Sequence, residues 1–91
     1  MEKQRQFENV FKCKWSTVVL MRIASGVKQP GELLRSIDGL TKKVMYQRLK
    51  KLEGFGYIQR KVISEKPIKV YYSLTQQGRQ VFKIIKLIHS L

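Results

Sequence analysis

Cysteine, histidine and acidic residues are scarce in this 91-residue chain. The single cysteine, Cys13, excludes an intramolecular disulfide bond. The single histidine, His89, has no cysteine or carboxylate at metal-ligand spacing, so the sequence predicts no metal site. The sequence also lacks a Ser-His-Asp set, paired carboxylates and a phosphate-binding glycine loop. We therefore predict a protein that is not an enzyme and has no catalytic residue and no cofactor.

Long apolar runs are also absent. No stretch approaches the length that spans a bilayer, and the polar residues 1–6 lack the apolar core of a signal peptide. We therefore expect a cytoplasmic protein with no membrane partner. The length suits one small domain. We divide it into an N-terminal helix (1–13), a core (14–74) and a C-terminal helix (75–91).

Positive charge dominates the composition. The chain has 19 Lys and Arg residues against 6 Asp and Glu residues, for a formal net charge of +13. Such an excess favours a polyanionic partner, either nucleic acid or an acidic membrane surface. Because a basic protein without such a partner has the same composition, the charge alone does not separate these classes.

Apolar spacing and capping residues predict five helices and two strands. Pro30 suits the first position of a helix, and Thr41 and Thr75 are good N-caps. The predicted helices cover residues 4–12, Trp15 to the vicinity of Ser25, a segment from Pro30, residues 42–53 and the chain after Thr75, and the strands cover 57–63 and 69–74 with a loop at 64–68. Two short helices followed by a β-ribbon form a winged helix-turn-helix. The predicted fold class is α+β, mainly helical, a winged helix-turn-helix with flanking N- and C-terminal helices.

The helix predicted at residues 42–53 has apolar residues on one side and lysines and hydrogen-bonding side chains on the other. Such a helix fits the DNA major groove, where Gln47 could pair with an adenine edge and lysines could contact guanine or phosphate. Wing lysines are expected to contact phosphate or the minor groove. The alternatives are a solvated helix face and lysines that block strand edges. The candidate DNA-binding residues are Lys42, Lys43, Tyr46, Gln47, Lys50, Lys66 and Lys69.

The last helix carries more apolar residues than one small domain can cover. A single-sided core would leave Ile84, Ile88 and Leu91 exposed. A two-fold interface would explain this excess. A helix lying on a membrane surface is the competing interpretation, with only Lys83 and Lys86 as polar anchors. We favour a homodimer.

An ordered set of motifs resembles the HxlR-type subgroup of winged-helix transcriptional regulators, in the MarR-like superfamily. The motifs are Lys14-Trp15, Gly31-Glu32-Leu33, Gln47-Arg48-Leu49 with Leu52-Glu53 and Gly56, Pro67, Tyr72-Ser73-Leu74-Thr75 and Gly78-Arg79, in order over residues 13–82. The resemblance implies a cytoplasmic, homodimeric bacterial or archaeal regulator. Its first and last helices would form the dimer, and its helix at 42–53 would contact DNA. The candidate dimer residues are then Phe7, Phe11, Ile84, Ile85, Ile88 and Leu91.

Cys13 has two interpretations. Lys12 and Lys14 flank it and would lower the pKa of an exposed thiol, which favours a redox sensor. A free cysteine is more often a small buried apolar residue. Redox-sensing members of the resembled family carry their cysteine further upstream, and Cys13 occupies a place where the family often has glycine. A redox or small-molecule signal stays open at this point.

These observations predict a sequence-specific DNA-binding transcriptional regulator that acts as a homodimer on a pseudo-palindromic operator. Its two recognition helices would enter major grooves about 34 Å apart. One alternative is a winged helix used for protein–protein assembly, which a neutral recognition face would suit. Another is RNA binding, which exposed aromatic residues on a sheet face would favour.

Overall fold

The computed structural model describes residues 2–91, which form five α-helices and a two-stranded antiparallel sheet. The elements are α1 (Glu2–Lys12), α2 (Lys14–Ala24), α3 (Pro30–Ser36), α4 (Lys42–Gly54), β1 (Ile58–Glu65), β2 (Ile68–Leu74) and α5 (Gln76–His89). Helices α3 and α4 form the helix-turn-helix, and the two strands form the wing. This confirms the predicted fold class. No helix within residues 2–91 is long and apolar enough to cross a membrane.

Helix α2 lies at the centre of the fold. It packs against α1, α3, α4, α5 and β2, because it is apolar over most of its surface. Its buried Thr17 donates from Oγ1 to the Val10 carbonyl at 2.8 Å. The remaining core comprises Val10, Val19, Leu20, Ile23, Leu33, Ile37, Leu40, Met45, Leu49, Leu52, Tyr57, Ile58, Tyr72, Val81 and Ile85.

Local capping residues fix the starts of three helices. Pro30 occupies the first turn of α3, where a missing backbone N–H costs no hydrogen bond. Thr41 Oγ1 accepts from the Val44 backbone N–H at 3.2 Å, and Thr75 Oγ1 accepts from that of Gly78 at 3.0 Å. These starts agree with the sequence predictions for α3, α4 and α5.

The wing is longer than the sequence predicts. Its strands pair from Ile58 opposite Leu74 to Glu65 opposite Ile68, with one irregularity between Val62 and Ser64. The predicted loop at 64–68 is therefore wrong in length, since only residues 66–67 connect the strands. Pairing continues through this polar segment because backbone hydrogen bonds hold the ribbon together. Helix α1 also differs from the prediction, since it begins two residues before the predicted start, and α2, α4 and β2 each differ by one residue at one end, as does the start of β1.

Helix α5 is fixed to the turn between α4 and β1. The Thr75 backbone N–H donates to the Tyr57 carbonyl at 3.0 Å, and its hydroxyl donates to the Gly56 carbonyl. Gly78, in the first turn of α5, is buried directly against the Tyr57 carbonyl. The position of α5, and of the C-terminal apolar residues that it carries, therefore depends on this close backbone contact.

Candidate nucleic-acid interface

Helix α4 presents a polar face opposite its buried one. Met45, Leu49 and Leu52 point into the core, and their helical spacing turns the intervening residues outward. The exposed residues of this face are Lys42, Lys43, Tyr46, Gln47 and Lys50. All five residues predicted on this helix therefore lie at the surface, on the element that follows the turn of the helix-turn-helix.

The start of the α4 face is electrostatically unusual. Lys42 and Lys43 occupy the first turn, which contains no acidic residue. The helix macrodipole already places partial positive charge at this end, so cations there are unfavourable for the helix. The two lysines therefore do not serve helix stability, and their position suits an external anion.

The wing carries its predicted lysines in two places. Lys66 lies in the turn at the tip, and Lys69 lies in β2 opposite Ser64. Both side chains are exposed. The neighbouring Ile68 is 72% exposed, so the end of the ribbon combines cations with an uncovered apolar side chain. Apolar and basic side chains of this kind suit contact with a minor groove and its phosphates.

A notch of about 340 Å³ joins α4 to the wing. Tyr46 of α4 lines it on one side, and Arg60 and Lys69 of the wing line it on the other. The notch thus brings two of the predicted residues, Tyr46 and Lys69, to the same depression, whereas Lys66 lies further along the ribbon. A phosphate backbone that followed α4 would contact Arg60 and Lys69 at this notch.

Arg60 is a notch residue that the sequence prediction did not select. It pairs with Tyr72 across the ribbon, so both side chains project to the same face. Burial raises the pKa of Tyr72, and the charge and hydrogen bond of Arg60 offset part of that increase. The available sequence signal is alternation: Arg60 lies two residues after the buried Ile58, on the face of the ribbon that covers the core.

Cys13 is the N-cap residue of α2 and is half-buried. Burial raises the pKa of its thiol, but the Ser16 hydroxyl and backbone N–H, the Arg48 guanidinium and the Trp15 backbone N–H together outweigh burial, so the pKa is lowered. The cation that acts on the thiol therefore comes from α4. Arg48 Nε is buried and has no hydrogen-bond partner among the described residues.

The terminal helices carry an uncovered apolar surface. Ile84 is 44% exposed, Ile88 is 37% exposed and Leu91 is fully exposed. Phe11 is also exposed and stacks on the half-buried Phe7, with ring centroids 5.9 Å apart. An apolar groove of about 490 Å³ runs alongside, between α2 and α5.

The structure contradicts the prediction that Ile85 lies in the dimer interface. Its side chain is completely buried in the core of its own chain, because it lies one helical turn after the buried Val81. It therefore has no surface to offer a partner. Leu87, which the sequence prediction did not select, is 68% exposed on the same helix.

Potential metal ligands are dispersed. Residues 2–91 contain no group of three or more His, Cys, Asp and Glu side chains positioned to hold a metal ion. The notch between α4 and the wing is instead lined by two cations, two tyrosine rings and several apolar side chains, with no acidic residue among the described residues that line it. This chemistry suits an anionic polymer.

Comparison with protein families and with known sequences gives consistent matches. Residues 10–91 match the family described as HxlR-like helix-turn-helix. An uncharacterised HTH-type transcriptional regulator of Synechocystis, sll1512, is 38% identical over 78 residues, which cover 86% of this chain and 58% of that relative. The chain thus spans somewhat more than half the length of this relative.

Solved structures are similar over most of the chain. Diamide-treated YodB from Bacillus subtilis superposes with a TM-score of 0.83 at 25% identity, covering 96% of this chain and 85% of YodB. The reduced form of the redox regulator HypR gives a TM-score of 0.82 at 29% identity, covering 90% of this chain and 81% of HypR. The similarity therefore includes both the helix-turn-helix and the wing.

Proposed function

This chain belongs to the HxlR-like helix-turn-helix family, and on that premise we propose that it binds duplex DNA as a homodimer in the cytoplasm. Similar proteins are named as transcriptional regulators and not as enzymes. The observation that carries the proposal is the exposure of cations on both α4 and the adjoining wing. Lys42 and Lys43 stand at a helix end where the macrodipole disfavours cations. Arg60 and Lys69 extend the same charge onto the wing.

The proposed mode of binding places α4 in the major groove. Gln47 would contact a base edge, and Lys42, Lys43 and Lys50 would contact guanine or phosphate. Lys66 and Lys69 would contact the backbone or minor groove beside it. Two such units related by a two-fold axis would bind a pseudo-palindrome with half-sites about 34 Å apart.

Footprinting on genomic fragments tests this proposal. We expect two protected half-sites separated by one helical turn, and binding that resists competition by unrelated duplex DNA. Duplex and single-stranded RNA serve as competitor arms. Preferential binding to RNA would favour the RNA alternative, and absence of binding to any nucleic acid would favour a module for protein assembly.

The homodimer is proposed from the apolar surface of α5 and α1. Ile84 and Ile88 lie one helical turn apart in an apolar stripe on α5, Leu91 follows just past the end of that helix, and Phe11 adds an aromatic ring from α1. A stripe of this kind is costly to leave in water, and a second copy would cover it symmetrically. Phe7 would support Phe11 from behind, whereas Ile85 is left out of the interface because its own chain buries it.

Replacing Ile84 and Ile88 together with glutamate is expected to produce monomers. The new carboxylates would lie unpaired at the centre of the interface, where each costs several kcal/mol of association free energy. Sedimentation velocity at micromolar concentration measures the change. Ile63→Glu, on the wing and with a similar exposure of 42%, is the matched control and should leave the dimer intact. A wild-type chain that sediments as a monomer would contradict the proposal.

We also propose that oxidation of Cys13 tunes DNA binding. The lowered pKa of its thiol supports this, as do the names of two similar structures, the redox regulator HypR and diamide-treated YodB. In the proposed step the thiolate attacks a peroxide. A sulfur–oxygen bond forms, the oxygen–oxygen bond breaks, the departing oxygen takes a proton, and the product is a sulfenic acid. Because Arg48 acts on this thiol from α4, the added oxygen would disturb the recognition helix.

The pH dependence of thiol labelling tests the first part of this idea. Only the thiolate reacts, so the rate rises with pH through the pKa of the thiol. Because folding lowers that pKa, the midpoint should lie at lower pH in the native chain than in the urea-unfolded chain. Comparing midpoints removes the effect of accessibility on the rate. Coincident midpoints, or a Cys13→Ser variant whose DNA binding responds to peroxide as the wild type does, would leave Cys13 as a packing residue.

A further inference from the structure

A second concave site lies apart from the proposed DNA-binding surface. It is a cavity of about 370 Å³ between the end of α2, the end of β2 and the first turns of α5. Its volume falls within the range of small-molecule sites, about 300–1,000 Å³. None of the seven candidate DNA-binding residues lines it, so a ligand held there would not compete directly for the α4 face. We call it the α2–α5 cavity.

The walls of the α2–α5 cavity are apolar. Ile23 is almost completely buried, and Leu74 and Phe82 are half-buried with part of their surfaces turned to the cavity. A small inorganic anion would leave these surfaces in contact with water. A ligand with an apolar body would instead remove them from it, which is favourable in proportion to the area covered.

The rim of the same cavity is cationic. Lys28 reaches it from the segment before α3, Arg79 and Lys83 reach it from successive turns of α5, and among the described residues that line it none is acidic. Arg79 Nη1 donates to the Leu74 carbonyl at 3.3 Å, which holds the guanidinium against the wall. The other guanidinium N–H groups stay available, and their planar arrangement matches a carboxylate.

We propose that the α2–α5 cavity binds a small organic acid, with its aromatic or branched apolar body between Ile23, Leu74 and Phe82 and its carboxylate at Arg79, Lys28 and Lys83. The apolar walls select against acetate or phosphate, and the three cations select against a neutral molecule of the same shape. The ligand would contact both β2 and α5, which join the wing to the apolar surface of the last helix. Binding itself does not depend on the proposed DNA function.

Isothermal titration calorimetry with 2-naphthoate tests the proposal, with 2-naphthamide and acetate as comparison ligands. We expect saturable 1:1 binding of 2-naphthoate, and much weaker binding of both comparison ligands. Lys28→Gln and Lys83→Gln should each weaken 2-naphthoate binding by up to about fivefold, the upper end of the range for an exposed charge pair. Arg79→Gln should weaken it further, because it removes the planar contact.

The matched control is Lys61→Gln, which removes the same charge from an exposed wing position outside the cavity. It should leave 2-naphthoate affinity unchanged. Equal weakening by Lys61→Gln would mean that the highly basic chain attracts anions without a site, and this would overturn the proposal. Equal affinity for 2-naphthamide, or no saturable binding of 2-naphthoate, would overturn it as well. Failure of DNA binding in footprinting would leave this result unaffected.

Discussion

Replacing Gly78 with alanine is expected to lower the free energy of unfolding by about 3 kcal/mol, the upper part of the usual range for overpacking a close contact. A β-carbon at this position would overlap the Tyr57 carbonyl oxygen and lie 2.8 Å from the carbonyl carbon. These are backbone atoms, so no side-chain rotation relieves the overlap. Helix α5 would have to move away from the turn, and the hydrogen bonds that Thr75 donates to the Gly56 and Tyr57 carbonyls would be lost or lengthened.

Thermal denaturation measures this effect. For a domain of this length each kcal/mol shifts the Tm by about 4–8 °C, so the midpoint should fall by roughly 12–24 °C. Gly54→Ala is the matched control, since a β-carbon at this helical position meets nothing within 4 Å. It should raise stability slightly by restricting the unfolded chain. Equal melting of the two variants would contradict the close contact, whereas a Gly78→Ala chain that fails to fold beside a stable Gly54→Ala chain would support it.

Features set by neighbouring residues could be predicted from the sequence. The starts of α4 and α5 were predictable because Thr41 and Thr75 cap them through bonds to residues three positions later. Pro30 likewise fixes the start of α3. The wing turn was not predictable to the residue, because strand length depends on cross-strand pairing and the polar residues there carry no apolar alternation.

The candidate site likewise combines features set by neighbouring residues with features set by tertiary packing. The exposed face of α4 followed from its apolar period, since Met45, Leu49 and Leu52 fix which side is buried. The position of Ile85 depends on how α5 packs on the core, and that of Arg60 depends on the register of the two strands. Neighbouring isoleucines of α5 have opposite fates, with Ile84 exposed and Ile85 buried, and only the packing of α5 on the core decides between them.

The environment of Cys13 also required the fold. The sequence suggested that the flanking Lys12 and Lys14 would set its pKa. The structure brings Arg48 to the thiol from a helix more than thirty positions later in the sequence. Contacts between residues so far apart in the chain follow from the packing of α4 on α2, which no local pattern encodes.

Replacing Lys42 and Lys43 with alanine is expected to weaken DNA binding strongly at low salt and to reduce its salt dependence. Each lost phosphate contact removes about 0.9 from the slope of log K against log salt, so the double variant should lose about 1.8. Lys3→Ala with Lys83→Ala removes the same charge from exposed positions on α1 and α5 and should change the slope little. Binding by fluorescence anisotropy at several salt concentrations measures both variants.

Gln47→Ala separates base contact from phosphate contact on the same face. If Gln47 pairs with a base edge, its removal should cost about 1–3 kcal/mol on the operator and leave binding to unrelated duplexes unchanged. The lysine variant should weaken both by similar factors, because phosphates are the same in every sequence. Unfolding would not explain that loss, since removing cations from the start of α4 relieves an unfavourable interaction with the macrodipole. A lysine variant that is more stable to heat yet binds DNA more weakly would therefore assign Lys42 and Lys43 to the partner, whereas equal loss on all sequences for Gln47→Ala would remove Gln47 from base recognition.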